Sequence, residues 1–126
     1  MKKLKFYKCQ HCGNVVVKLV DAKIPLFCCG EIMQELKANT VDASTEKHIP
    51  VVKVDGNTVE VVVGEVLHPM LPEHYINFVV LETENGFDIK QLDPQSAPKA
   101  IFHVEDEKLV AVYEYCNLHG LWAFEF

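Results

Sequence analysis

Four of the chain's five cysteines lie before residue 30, in the runs Cys9-Gln10-His11-Cys12-Gly13 and Cys28-Cys29-Gly30. The segment that holds them, residues 1–37, has few large apolar side chains. Fewer than about 40 residues rarely build a stable core unaided, so a metal or a partner is expected to staple this piece. The spacing C-x2-C-x15-C-C brings four thiolates from two turns, the donor set of a tetrahedral iron or zinc site. Glycine after each pair permits the tight geometry in which backbone N–H groups point at sulfur. By ligand type zinc and iron fit equally well. The adjacent pair at 28 and 29 implies a distorted site, which is more natural for a redox iron than for a zinc held only for folding. Five is an odd count, so complete internal disulfide pairing is excluded. His11, inside the first knuckle, is expected to point outward.

Beyond this unit, residues 38–47 (ANTVDASTEK) are small and polar and read as a linker. Then β patterning takes over. The runs 51–54, 58–66, 75–83, 87–92, 100–104, 109–115 and 121–126 are rich in valine, isoleucine and aromatics, and none holds a helical period. Asp55-Gly56-Asn57 and Glu84-Asn85-Gly86 mark hairpin turns. About seven short strands at this spacing predict an antiparallel sandwich. With 49% hydrophobic residues the chain can bury its core. The expected fold is all-β: a small metal-bound domain at 1–37, then a β-sandwich domain at 38–126 that begins with the linker.

The formal charge of −6 argues against a nucleic-acid partner, which would need a basic face. No run approaches the roughly 18 apolar residues of a membrane span, and none has the length of a signal peptide. The expected location is cytoplasmic, where cysteines serve as metal ligands or redox groups more often than as disulfides.

The fifth cysteine, Cys116, stands three positions before His119 in EYCNLHGLW. His48, His68, His74 and His119 all fall at strand ends or in loops, whereas His103 sits inside a strand. Loops at one end of a sandwich converge in space. Four imidazoles with one thiolate suit a divalent metal, so Cys116 reads as a ligand separate from the first four.

Here the sequence resembles a known family. C-x2-C-x15-C-C looks like desulforedoxin, and the segments EKHIP, HPMLPEHYI and EYCNLHG look like the iron domain of superoxide reductases. In this order they resemble desulfoferrodoxin, the two-iron superoxide reductase, over essentially the whole chain. The resemblance implies an Fe(Cys)4 centre at Cys9, Cys12, Cys28 and Cys29. It implies a second iron held by His48, His68, His74, His119 and Cys116, with the thiolate axial. It gives Glu46 the role of a carboxylate that caps the oxidised iron, and Lys47 that of the lysine beside the open position. The implied reaction is one-electron reduction of superoxide to hydrogen peroxide, with re-reduction by a small electron-transfer protein such as rubredoxin. The alternative is a non-catalytic electron-transfer protein. The resemblance also implies an immunoglobulin-like sandwich and a homodimer. Two departures stand out: Leu71-Pro72-Glu73 replaces charged residues between two histidines, and Leu121 replaces a histidine after His119-Gly120.

Overall fold

The computed structural model describes residues 4–41, 43 and 45–126; the side chain of Glu46 lies outside the described residues. The described residues up to Lys37 form one compact unit and those from Ala38 onward another.

The first unit has five short strands: β1 (Phe6–Lys8), β2 (Val15–Val17), β3 (Phe27–Cys28), β4 (Glu31–Ile32) and β5 (Gln34–Leu36). β1 lies between β2 and β5 in an antiparallel sheet, and β3 and β4 form a separate hairpin. Among its described residues only Phe6, Cys9 and Met33 are buried apolar side chains. Two large side chains and a thiol are far too little to offset the chain entropy of such a unit.

The second unit is an antiparallel sandwich of three strands on four. A single helical turn, α1 (Thr45–His48), leads into β6 (Pro50–Asp55) and β7 (Thr58–Val63). β8 (Ile76–Thr83) and β9 (Gly86–Gln91) follow, then β10 (Lys99–His103), β11 (Leu109–Cys116) and β12 (Gly120–Glu125). One sheet runs β10-β7-β6 and the other β12-β11-β8-β9. Strict alternation in TVEVVV puts Val59, Val61 and Val63 inward, and Ala100 and Phe102 of β10 join them. The facing sheet supplies Ile76, Val79, Leu81, Val112 and Cys116. Each valine buried this way contributes about 1.5–3 kcal/mol.

All seven expected sandwich strands are present. The expected run 58–66 ends early, at Val63, because Gly64 takes φ +83 and turns the chain out of the sheet. The sequence gives no sign of a bulge in β8. Tyr115 pairs with Phe78 but Cys116 pairs with Ile76, so Asn77 is an extra residue. That insertion reverses the alternation and turns Ile76, not Asn77, into the core beside Cys116.

The segment expected as a linker is anchored at its start. Asn39 donates its N–H to the Leu121 carbonyl at 3.0 Å. Its side chain accepts from the Ala123 N–H at 2.9 Å and donates to the Ala123 carbonyl at 3.2 Å. It thus extends the pairing of β12 at the edge next to His119, and the same segment then closes into α1.

Candidate metal centres

In the first unit the knuckle after β1 is closed by Cys9 N–H on the Asn14 carbonyl (2.9 Å) and Gly13 N–H on the Cys9 carbonyl (3.0 Å). Cys29 and Gly30 both have left-handed backbone, at φ +53 and +76. Two such residues in succession reverse the chain between β3 and β4, which lets adjacent cysteines send both sulfurs to one point. The sulfurs of Cys9, Cys12, Cys28 and Cys29 all lie within 4.8 Å of one another. Cys12 Sγ and Cys28 Sγ are 3.6 Å apart; metal–sulfur bonds of about 2.3 Å place tetrahedral sulfurs about 3.8 Å apart.

Hydrogen bonds to sulfur set the charge. The Cys12 N–H donates to Cys9 Sγ at 3.5 Å and brings that thiol down to about 6. Asn14 Nδ2 donates to Cys28 Sγ at 3.6 Å. Hydrogen bonding with Cys9 pushes Cys29 up to about 12, and with Cys12 pushes Cys28 up. Four sulfurs this close cannot all ionise without a cation among them. His11 does point outward; its Nε2 meets Glu31 Oε1 at 3.0 Å, an exposed pair that joins the two turns.

In the second unit, His48 ends α1, His68 follows β7, His74 precedes β8, Cys116 ends β11, and His119 lies in the turn before β12. In this antiparallel topology those five places share one end of the sandwich. One donor atom from each of the five lies within 4.8 Å of all the others. The imidazoles form a closed ring: centroids are 4.7 Å apart for His48–His68 and 4.7 Å for His68–His74. The ring is completed by His74–His119 at 5.1 Å and His119–His48 at 4.9 Å. Adjacent rings are near perpendicular, with interplanar angles from 73° to 90°. This order leaves His48 opposite His74 and His68 opposite His119.

His48 Nε2 lies 3.1 Å from His68 Nε2 and 3.1 Å from His119 Nδ1. Metal–nitrogen bonds of about 2.1 Å place neighbouring nitrogens about 3.0 Å apart. His68 donates Nδ1–H to the Pro69 carbonyl at 2.7 Å, which leaves Nε2 with a free lone pair. Burial brings His68 down to about 4 and also lowers His74, so both rings are neutral near pH 7. His74 Nε2 is buried and has no hydrogen-bond partner. A buried ring nitrogen without a partner is costly, and a metal ion bound there would satisfy it.

Cys116 Sγ lies 3.9 Å from His119 Nδ1. Cys116 is fully buried and belongs to the same core cluster as Val63 and Phe102, so the sulfur comes from the core side. Burial pushes its thiol up, against hydrogen bonds from the Leu118 and His119 backbone N–H groups. His103 is exposed on β10 and stands outside the cluster. Lys47 is exposed on α1, and its charge is among the causes that lower His74.

Comparison with known proteins agrees with this geometry. Residues 40–125 match the family model described as desulfoferrodoxin, and residues 1–36 match that of the desulfoferrodoxin N-terminal domain. The chain belongs to the desulfoferrodoxin family. The desulfoferrodoxin of Desulfarculus baarsii is 44% identical over 125 residues, covering 98% of both chains. The superoxide reductase structure from Treponema pallidum superposes with a TM-score of 0.82 at 39% identity, covering 98% of this chain and 100% of that one. The one-iron superoxide reductase from Giardia intestinalis gives 0.54 at 33% identity and covers 64% of this chain and 99% of that one.

The donor sets fit the two irons of a desulfoferrodoxin, one Fe(Cys)4 and one with four histidines and a cysteine. Around the second set, the structure adds residues that the sequence pattern alone did not single out. Trp122 stacks on His48, with centroids 4.9 Å apart and planes 24° apart, and donates Nε1–H to the His119 carbonyl at 3.0 Å. It is the chain's single tryptophan and lies three residues beyond a candidate ligand, a signal that could have been read. Glu114 shares the inward face of β11 with Cys116, and both its carboxyl oxygens are buried without a hydrogen-bond partner. Burial pushes its carboxyl well above the usual carboxylate range.

Proposed function

We propose that this chain is a superoxide reductase, working at the iron of the second unit. The observation that carries the reading is the convergence of four imidazoles and one buried cysteine on a single point. Five donors are one fewer than six-coordinate iron takes, which reserves a place for a small anionic substrate. Iron held by these five residues would supply the one electron that, with two protons, turns superoxide into hydrogen peroxide.

The protein's own groups do the rest. His48, His68, His74 and His119 present Nε2, Nε2, Nε2 and Nδ1, and Cys116 must lose its proton on binding the metal, aided by the Leu118 and His119 N–H groups. With Cys116 entering from the core side, a metal held here would be approached by substrate from the side away from the core. Lys47, exposed on α1, supplies local positive charge in a chain of net charge −6. Its role is to draw superoxide in and to relay protons from solvent. Glu46, whose side chain lies outside the described residues, would be the carboxylate able to cover the iron in its oxidised form.

Each turnover consumes one electron, supplied by a small electron-transfer protein of the rubredoxin type. Cys12 and Cys29 are exposed, which suits the first centre to surface electron exchange. The first unit leaves Leu19, Val20, Ile24 and Phe27 largely in water, which favours pairing with a second copy as a homodimer. Reduced thiolate ligands favour a cytoplasmic location. No helix among the described residues is long and apolar enough to cross a membrane.

Replacing Cys116 by serine tests the reading. Loss of the sulfur-to-iron(III) charge-transfer band together with superoxide reduction is the expected result. Retention of both would refute it, and a second iron that keeps its band but never reacts with superoxide would mark an electron-transfer protein instead.

A further inference from the structure

Asn117 sits next to one candidate ligand, Cys116, and two residues from another, His119, but its side chain is committed to the loop of a third. Its Oδ1 accepts the Tyr75 N–H at 2.9 Å, and its Nδ2 donates to the Glu73 carbonyl at 3.0 Å. Its own N–H donates to the Tyr75 carbonyl at 3.2 Å. These bonds grip the chain immediately before and immediately after His74. The peptide groups of His74 are engaged by Leu71, N–H to carbonyl at 3.0 Å and carbonyl to N–H at 2.9 Å. At the far side of the loop, the Ile76 N–H meets Met70 Sδ at 3.4 Å.

The consequence falls on the ring. His74 Nε2 is buried and finds no hydrogen-bond partner in the protein, so nothing bonded at that nitrogen orients it. His68, by contrast, is held through its own Nδ1 on the Pro69 carbonyl. The ring touches His68 and His119 but makes no side-chain hydrogen bond among the described residues, so its aim depends on the backbone that carries it, which Asn117 fastens to the turn bearing Cys116 and His119.

We propose that Asn117 is a positioning residue for His74, locking the loop 71–75 to the β11–β12 turn so that three ligands from two loops meet at one point. This rests on the reading of His74 as an iron ligand. The chemistry selects an amide, because one side chain must accept from one peptide and donate to another at the same time. Aspartate offers no donor and sets a charge against the Glu73 carbonyl; alanine offers neither group.

The test uses the full-length, iron-loaded protein with Asn117→Ala and Asn117→Asp, each alone and combined with His74→Ala. Three quantities are read: the rate at which a chelator removes the second iron, the electron paramagnetic resonance signal of its ferric form, and the unfolding midpoint of the chelator-stripped chain. Asn117→Ala is expected to release the second iron about 10- to 100-fold faster, as loss of groups that orient a ligand does. The ferric signal should shift while release from the Fe(Cys)4 site stays unchanged. In the His74→Ala background the same change should add less than about twofold, because its route of action is gone. Asn117→Asp, which keeps the Tyr75 bond, provides the same comparison if the alanine variant does not fold. Release rates within twofold of the parent would overturn the proposal. So would full additivity with His74→Ala, which would make Asn117 a fold residue only. If His74→Ala alone leaves iron retention unaltered, the ligand reading itself fails and the proposal goes with it.

Discussion

Gly64 is where the second unit tolerates no side chain. It has φ +83, and a Cβ added there would lie 2.5 Å from the Val66 carbonyl oxygen. The same Cβ would lie 2.6 and 2.7 Å from the carbonyl oxygen and carbon of Lys47. These are backbone atoms, so no rotamer change relieves them; reaching an ordinary contact near 3.5 Å requires a shift of about 0.8 Å or more. The Lys47 carbonyl is the peptide that bears His48. Gly64→Ala should therefore combine left-handed strain of about 1–2 kcal/mol with overpacking of about 1–3 kcal/mol. For a unit of this size that total, about 2–5 kcal/mol, lowers the unfolding midpoint by at least about 8 °C. Gly56 is the internal control, since it has φ +57 and nothing within 4 Å of an added Cβ. Gly56→Ala should show the strain alone, about 1–2 kcal/mol. The assay is thermal unfolding of the chelator-stripped full chain followed by the fluorescence of Trp122, the single tryptophan, which reports only on the second unit. In the iron-loaded protein Gly64→Ala should also weaken the second centre's charge-transfer band while the first centre's spectrum is unchanged. Equal destabilisation by the two substitutions, or an intact second band in Gly64→Ala, would refute the close-approach argument.

Acid should destabilise the metal-free second unit in a defined window. His68 falls from 6.5 in the unfolded chain to about 4 in the fold, so below pH 6.5 the unfolded chain binds a proton that the folded one refuses. Stability from this residue is complete above about pH 6.5 and is lost as pH falls towards 4, measurable by urea unfolding at stepped pH. Trp122→Ala should cost about 3–5 kcal/mol through the cavity it leaves, and should loosen His48; the readouts are denaturant midpoint and iron content. Trp122→Phe keeps the stacked ring, loses only the bond to the His119 carbonyl, and should cost about 1 kcal/mol. Removing the first metal with a chelator should abolish amide-exchange protection in β1, β2 and β5, because Phe6, Cys9 and Met33 alone do not hold them. Persistent protection there would show a core that the burial pattern does not reveal.

The nine candidate ligands were legible in the sequence because coordination chemistry restricts residue type and short spacings restrict geometry. C-x2-C and C-x2-H can be recognised before any fold is known, and alternation in TVEVVV fixes which valines face inward. The adjacent Cys28 and Cys29 hinted at an unusual turn, and the left-handed backbone at residues 29 and 30 is that turn. The local pattern failed elsewhere. Residues 38–47 read as a linker because they are small and polar, yet Asn39 is fastened to β12 through partners 82 and 84 positions away along the chain. Asn117 looked like filler between Cys116 and His119, since its partners lie more than 40 residues upstream.

The sequence by itself determined the two donor sets, the count of strands and the acidic net charge, because each is a property of residue type or short-range order. Only the tertiary structure decided the order of the histidines around the ring and the choice of Nδ1 on His119. It alone decided the bulge at Asn77, the close approach of Gly64 to Lys47 and the clasp of Asn117. Those features depend on where loops distant in sequence meet, and that is set by the packing of one sheet on the other.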